Sequence, residues 1–143
     1  MDTKLSVAIH VLTLISESPE PMSSADMATS VGTNASYIRK VLSLLRRGEI
    51  IESRQGAIGY TLCVAPEKLS LLRIFHAVEE GADPRVLDIH QNPSDECLVG
   101  RNIRPVLQNV FGGAEDAFLQ ALQSKTLGDV MDGIRSRLRE QAS

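Results

Sequence analysis

Residues 28–41 read Ala28-Thr29-Ser30-Val31-Gly32-Thr33-Asn34-Ala35-Ser36-Tyr37-Ile38-Arg39-Lys40-Val41, with the spacing of two helices joined by a sharp turn. Ala28 is followed four residues later by Gly32, six later by Ile38 and three later by Val41. The small Ala28 lets two helices approach closely, and Gly32 supplies the turn between them. Ile38 and Val41, with Leu42 and Leu45, seat the later helix on a core, while Met27 and Val31 point inward from the earlier one. Ser23 or Ser24 can cap the earlier helix, with Asp26 complementing the helix dipole in its first turn. Thr33 or Asn34 can cap the later one, which runs to about Arg47 and ends at Gly48.

The polar face of this later helix carries Ser36, Tyr37, Arg39, Lys40, Ser43, Arg46 and Arg47, donors suited to phosphates and base edges. Five basic residues stand against two acidic ones between positions 33 and 54, a local +3 in a chain whose net charge is -3. A helix face of arginines is ordinarily just solvated. Here it coincides with turn chemistry, two-helix spacing and a following hairpin, so duplex DNA is the expected partner. Ile50 to Ser53 and Arg54 form one arm of that hairpin and Tyr60 to Val64 the other. Gln55-Gly56-Ala57-Ile58-Gly59 connects them, with two glycines for the bends. The hairpin becomes a wing beside the helix, and Arg54 and Gly56 near its tip are candidates for a phosphate or minor-groove contact.

Ahead of this unit, Leu5 to Ile15 has apolar residues at helical spacing, with Val7, Val11 and Leu14 on other parts of the surface. So wide an apolar arc must be covered on more than one side, and a second subunit is a candidate cover. After the wing, Ser70 to Glu79 reads as a helix, and Gly81 to Asp95 as an ordered connector. A long helical stretch follows from about Leu98 to Gln123. Ile103, Leu107, Val110, Ala114, Ala117 and Ala121 recur at steps of four and three, a heptad seam suited to dimerisation. Pro105 favours a helix start near Asn102 or an irregular first turn. Gly112 and Gly113 mark either a kink or a place where two backbones cross closely. A last helix spans about Thr126 to Glu140.

The expected fold is mainly α with a small β-hairpin wing, a winged helix-turn-helix followed by a long dimerisation helix. Residues 1–80 form the DNA-binding unit, 81–97 the connector, and 98–143 the dimerisation helix and C-terminal helix. The 143 residues are one domain's worth, and 43% hydrophobic with 23% charged residues is globular composition. There is no apolar run near ~18 residues and no charged head with an apolar signal core, so a cytoplasmic protein without a membrane partner is expected. No phosphate loop, paired-carboxylate signature or metal-ligand spacing appears, which argues against an enzyme or a metal site. His10 and His76 read as packed or partly exposed helix residues. His90, seven residues before Cys97, has no orienting group for nucleophilic chemistry. Cys97 is either a small buried residue anchoring the connector or a thiol activated by a helix start, against the repulsion of Asp95 and Glu96.

Taken together, these stretches resemble the Rrf2 family of bacterial winged-helix regulators over nearly the whole chain. The likeness runs through residues 33–42, the wing 53–60, and Leu69 to Glu79. His90-Gln91-Asn92-Pro93 and Cys97-Leu98-Val99-Gly100 are similar to the YwnA-like branch. The resemblance implies a homodimeric transcriptional regulator, a repressor in this reading, whose subunits each offer a recognition helix and wing to half of a palindromic operator. Iron–sulfur members place three cysteines in the connector, whereas here Cys97 stands alone, so no such cofactor is expected. Cluster-free members respond to thiol oxidation, which makes Cys97 a candidate redox sensor. The competing function is a winged helix that binds protein instead of DNA.

Overall fold

A computed structural model describes residues 3–79 and 87–142. The elements are α1 (Lys4–Glu17), α2 (Ser24–Val31), α3 (Ala35–Arg47), β1 (Ile51–Ser53), β2 (Tyr60–Leu62), a 3-10 turn (Pro66–Lys68), α4 (Leu71–Val78), α5 (Leu98–Gln123) and α6 (Leu127–Ala142). This is the mainly helical fold with a two-stranded wing that the sequence led us to expect.

Local chemistry sets the boundaries. Ser23 caps α2 in a reciprocal box: its hydroxyl accepts from the Asp26 N–H, and the Asp26 carboxylate accepts from the Ser23 N–H. Gly32 ends α2 at φ 86°, in the left-handed region that only glycine enters freely. Of the two candidate caps for α3, Asn34 is the one used, its Oδ1 accepting from the Tyr37 N–H at 2.8 Å. The strands pair antiparallel with Ile51 opposite Leu62 and Ser53 opposite Tyr60. Backbone bonds from Arg54 to Gly59 and from Cys63 to Ile50 extend the ladder one step at each end.

A single core holds these pieces. Ala8, Val11 and Leu12 of α1, Met27 of α2, Ile38, Val41, Leu42 and Leu45 of α3, and Ile74 and Val78 of α4 are buried together. The wide apolar arc of α1 is therefore largely covered by its own chain: α2, α3, α4, α6 and β2 all pack on it. Leu5, Ile9, Leu14 and Ile15 remain half-buried, so this chain covers most of the arc and not all of it. Apolar width says that a helix is surrounded, not by which chain.

The C-terminal helix returns to this core. Leu127 and Met131 of α6 are buried in it. Backbone bonds from Leu71 to Lys125 and from Leu127 to Leu69 tie the α5–α6 turn to the start of α4. At the surface an ion pair joins Arg135 of α6 to Glu17 of α1, both about half exposed, so it adds little to stability.

Helix α5 starts at Leu98, not near Asn102, and runs through Pro105, Gly112 and Gly113 without a break. Pro105 deprives only the carbonyl of Arg101, an exposed residue whose oxygen can turn to water. The first turn is regular, with the Arg101 N–H bonded to the Cys97 carbonyl at 2.9 Å. Phe118 meets Phe75 of α4 edge-on at 5.7 Å, fastening one side of α5 to the core unit. The connector's first part, through residue 86, lies outside the described residues.

Candidate nucleic-acid interface

Because α3 buries Ile38, Val41, Leu42, Leu44 and Leu45, the helical repeat turns Ser36, Arg39, Lys40, Ser43, Arg46 and Arg47 to the opposite side, where all six are exposed. Tyr37 lies at the edge of this face. It is half-buried against the core, at a cleft of about 330 Å³ lined also by Ser6, His10 and Thr33. One residue's rotation from Ser36 carries Tyr37 to the flank of the helix, so its ring supports α3 from the side. His10 occupies the same region as a partly exposed helix residue, within 3.0 Å of the Ser30 hydroxyl.

The wing stands beside this face. Arg54 and Gly56 are exposed, and Gly56 has φ 67°. The wing's base is anchored at Gly59, where a Cβ would come within 2.9 Å of the Pro21 Cβ and where φ is 109°. Tyr60 next to it is half-buried against the core. At the wing's root a cleft is lined by Arg46, Glu49, Glu52, Ser53 and Cys63, so the two local carboxylates lie between helix and hairpin and not at the tip. Arg73 of α4 was not foreseen as part of this surface. Its guanidinium reaches the Gly48 and Glu49 carbonyls at 3.5 Å, a cation at the negative end of α3.

Helix α5 presents an apolar strip of its own. Val99, Val106 and Val110 are 69%, 57% and 58% exposed, and Ala114, Ala117 and Ala121 continue the line. Ile103 and Leu107 are half-buried. The heptad count had left out Val99 and Val106, which lie on the same arc as Val110 once the helix is continuous from Leu98. Among the described residues, nothing outside the helix's own backbone lies within 4 Å of where a Cβ on Gly112 or Gly113 would be.

Cys97 is the N-cap of α5 and is exposed, which overturns the reading of a buried loop anchor. The backbone N–H groups of Gly100 and then Val99 lower its thiol pKa, although the side chain closes no full capping hydrogen bond. The connector is strapped to the helix around it. Arg104 donates to the His90 carbonyl at 2.6 Å. The Ser94 carbonyl lies so close to Gly100 that any side chain there would displace it.

The comparisons with known proteins agree with this geometry. The family described as "Rrf2: Iron-dependent Transcriptional regulator" matches residues 1–133. The chain is 38% identical over 132 residues to YwnA of Bacillus subtilis (strain 168), named as an HTH-type transcriptional regulator; the match covers 92% of this chain and 97% of that protein. A crystal structure described as that of a DNA-binding protein superposes with a TM-score of 0.73 at 38% identity, covering 90% of this chain and 98% of the other. A Lactobacillus plantarum structure described as a transcriptional regulator shares the fold, with a TM-score of 0.76 at 20% identity and full coverage of both chains. The iron in the family's description does not fit this chain's donor chemistry. An iron–sulfur cluster takes several thiolates, and the two cysteines here sit apart on the wing side and the connector. Among the described residues no three His, Cys, Asp or Glu side chains gather as metal ligands, and no helix is long and apolar enough to cross a membrane.

Proposed function

The chain belongs to the Rrf2 family of transcriptional regulators, and from that premise we propose that it is a sequence-specific DNA-binding repressor acting as a homodimer on a palindromic operator. The observation that carries this reading is the exposed row Ser36, Arg39, Lys40, Ser43 and Arg46 on α3, backed by the core and flanked by Arg54 of the wing. A rigid helix with donors on its outer face is what a major groove accepts. The apolar strip of α5 supports the dimer. Its valines expose more apolar surface than a lone subunit keeps in water, and Gly113, Ala117 and Ala121 leave room for a second backbone to cross.

Salt provides the test. Duplexes recovered by the purified protein from a random pool are titrated by fluorescence anisotropy at increasing ionic strength. Each neutralised phosphate contributes about -0.9 to the log–log slope, so several contacts per dimer give a steep fall in affinity. A winged helix that serves only protein partners recovers no duplex at moderate salt, and that result overturns the reading.

Thiol chemistry is the regulatory part of the proposal. A lowered pKa means a larger thiolate fraction at neutral pH, and the thiolate is the form that oxidants attack. Cys97 sits where α5 and its connector meet, so a bulky or charged adduct there disturbs the helix start that the strip depends on. Treatment with diamide is expected to weaken operator binding of the wild type by about tenfold or more. Cys97→Ser is expected to keep its affinity under the same treatment. If both proteins respond alike, the Cys97 thiol is not the switch.

A further inference from the structure

Ile58, at the tip of the wing, is 68% exposed. Every other large hydrophobic side chain of comparable exposure among the described residues lies on the connector, α5 or α6. Ile58 therefore has no share in the α5 strip, and nothing in its own unit covers it. Single exposed apolar residues are common and need no purpose. This one differs in its setting. The tip, Gln55-Gly56-Ala57-Ile58-Gly59, has no acidic group, and Arg54 stands at its base. Glu49 and Glu52 line the cleft at the wing's root and are not part of the tip. A polyanion that reaches the tip therefore meets no carboxylate on it and finds a cation beside an apolar side chain.

The mechanics of the wing suit a load. Gly59 rests on Pro21, Tyr60 is packed against the core, and the Arg54 N–H bonds to the Gly59 carbonyl at 3.1 Å. The base is thus fixed while the tip projects. Ile is β-branched and stiff at its first torsion, so little side-chain freedom is lost when it is buried.

We propose that Ile58 is an apolar wedge that enters the minor groove beside Arg54, partly unstacks one base step and bends the operator. The inference rests on the DNA-binding reading above and adds a specificity element to it. An inserted Ile, Leu, Phe, Met or Pro kinks a duplex where unstacking is cheap. Pyrimidine–purine steps such as TA and CA are the cheapest, and A-tracts resist. The ligand class is therefore duplex DNA with a flexible step under the wing, chosen by deformability and without a base-edge hydrogen bond.

The experiment measures bend and affinity together. Duplexes selected by the wild-type protein from a random pool carry a fluorophore at each end, and bending is read by energy transfer. Footprinting locates the step under the wing, which is then replaced by an A-tract step. Wild type is expected to bend the selected duplex and to bind the A-tract version about fivefold to tenfold more weakly. Ile58→Ala is expected to lose most of the bend and that discrimination, while Ile58→Leu retains both. Because Ile58 is exposed, neither change threatens the fold. If Ile58→Ala bends and discriminates as wild type does, or if wild type leaves its bound duplex straight, the wedge is overturned while DNA binding stands. In the first case a protein contact is the remaining use for the tip. If wild type recovers no duplex at all, both readings fall.

Discussion

Replacing Arg39 and Lys40 together with Ala is expected to abolish recognition of selected duplexes while leaving a folded dimer. Both side chains are exposed on α3, one turn past its Asn34 cap, and neither contributes to the buried set Ile38, Val41, Leu42 and Leu45. The substitution therefore costs the core nothing, and Ala is the best helix former. A side chain paired to a base edge carries about 1–3 kcal/mol of discrimination. Loss of two such contacts from each subunit weakens specific binding by at least about a hundredfold. Anisotropy with selected and scrambled duplexes separates this from loss of general affinity: the selected duplex should fall to the level of the scrambled one. An unchanged circular dichroism spectrum shows that the fold survives. Selected-duplex affinity equal to wild type would show that α3 does not read the groove.

Val110→Asp is expected to be as damaging by a different route. Val110 is 58% exposed in the chain, so a carboxylate there is solvated in the isolated subunit and the subunit still folds. In a dimer it would be buried against the partner's apolar strip without a counter-charge. Leaving a charge unpaired in a buried site costs about 3–5 kcal/mol, which raises the dimer dissociation constant by roughly a hundredfold to several thousandfold. Light scattering should show monomer at micromolar concentration where the wild type is dimeric, and operator binding should fall with it, since one subunit engages only a half-site. A wild type that is monomeric under these conditions would remove the basis of the proposal.

The helix-turn-helix was legible because its signals are local. Gly32 can take a left-handed conformation wherever it is placed, Asn34 caps α3 through its immediate neighbours, and the spacing of Ile38, Val41, Leu42 and Leu45 needs no knowledge of the partner helix. The basic face followed from the same periodicity, since whatever alternates with buried leucines must face outward. Tyr37 is the residue of that face whose burial periodicity could not give: it lies at the margin between the two faces, where a rotation of one residue decides burial and the type of residue does not.

Other features depended on segments far apart in the chain. Periodicity marked α1 as apolar on several sides, but only the docking of α4, α6 and β2 showed how much of that surface its own chain covers. Pro105 argued locally for a late helix start, yet α5 begins at Leu98, and the interruption falls at Arg101, on an exposed stretch where water can satisfy the freed carbonyl. That earlier start brings Val99 and Val106 into line with Val110. The exposure of Cys97 and of Ile58 was likewise invisible in the residues themselves, since apolar or thiol character favours burial without supplying a surface to be buried against. The chain's order of residues thus settled the local geometry of the turn, the caps and the charged face. Which apolar groups remained uncovered was settled by the packing, since burial depends on neighbours distant in sequence, and those uncovered groups are the ones that point to partners.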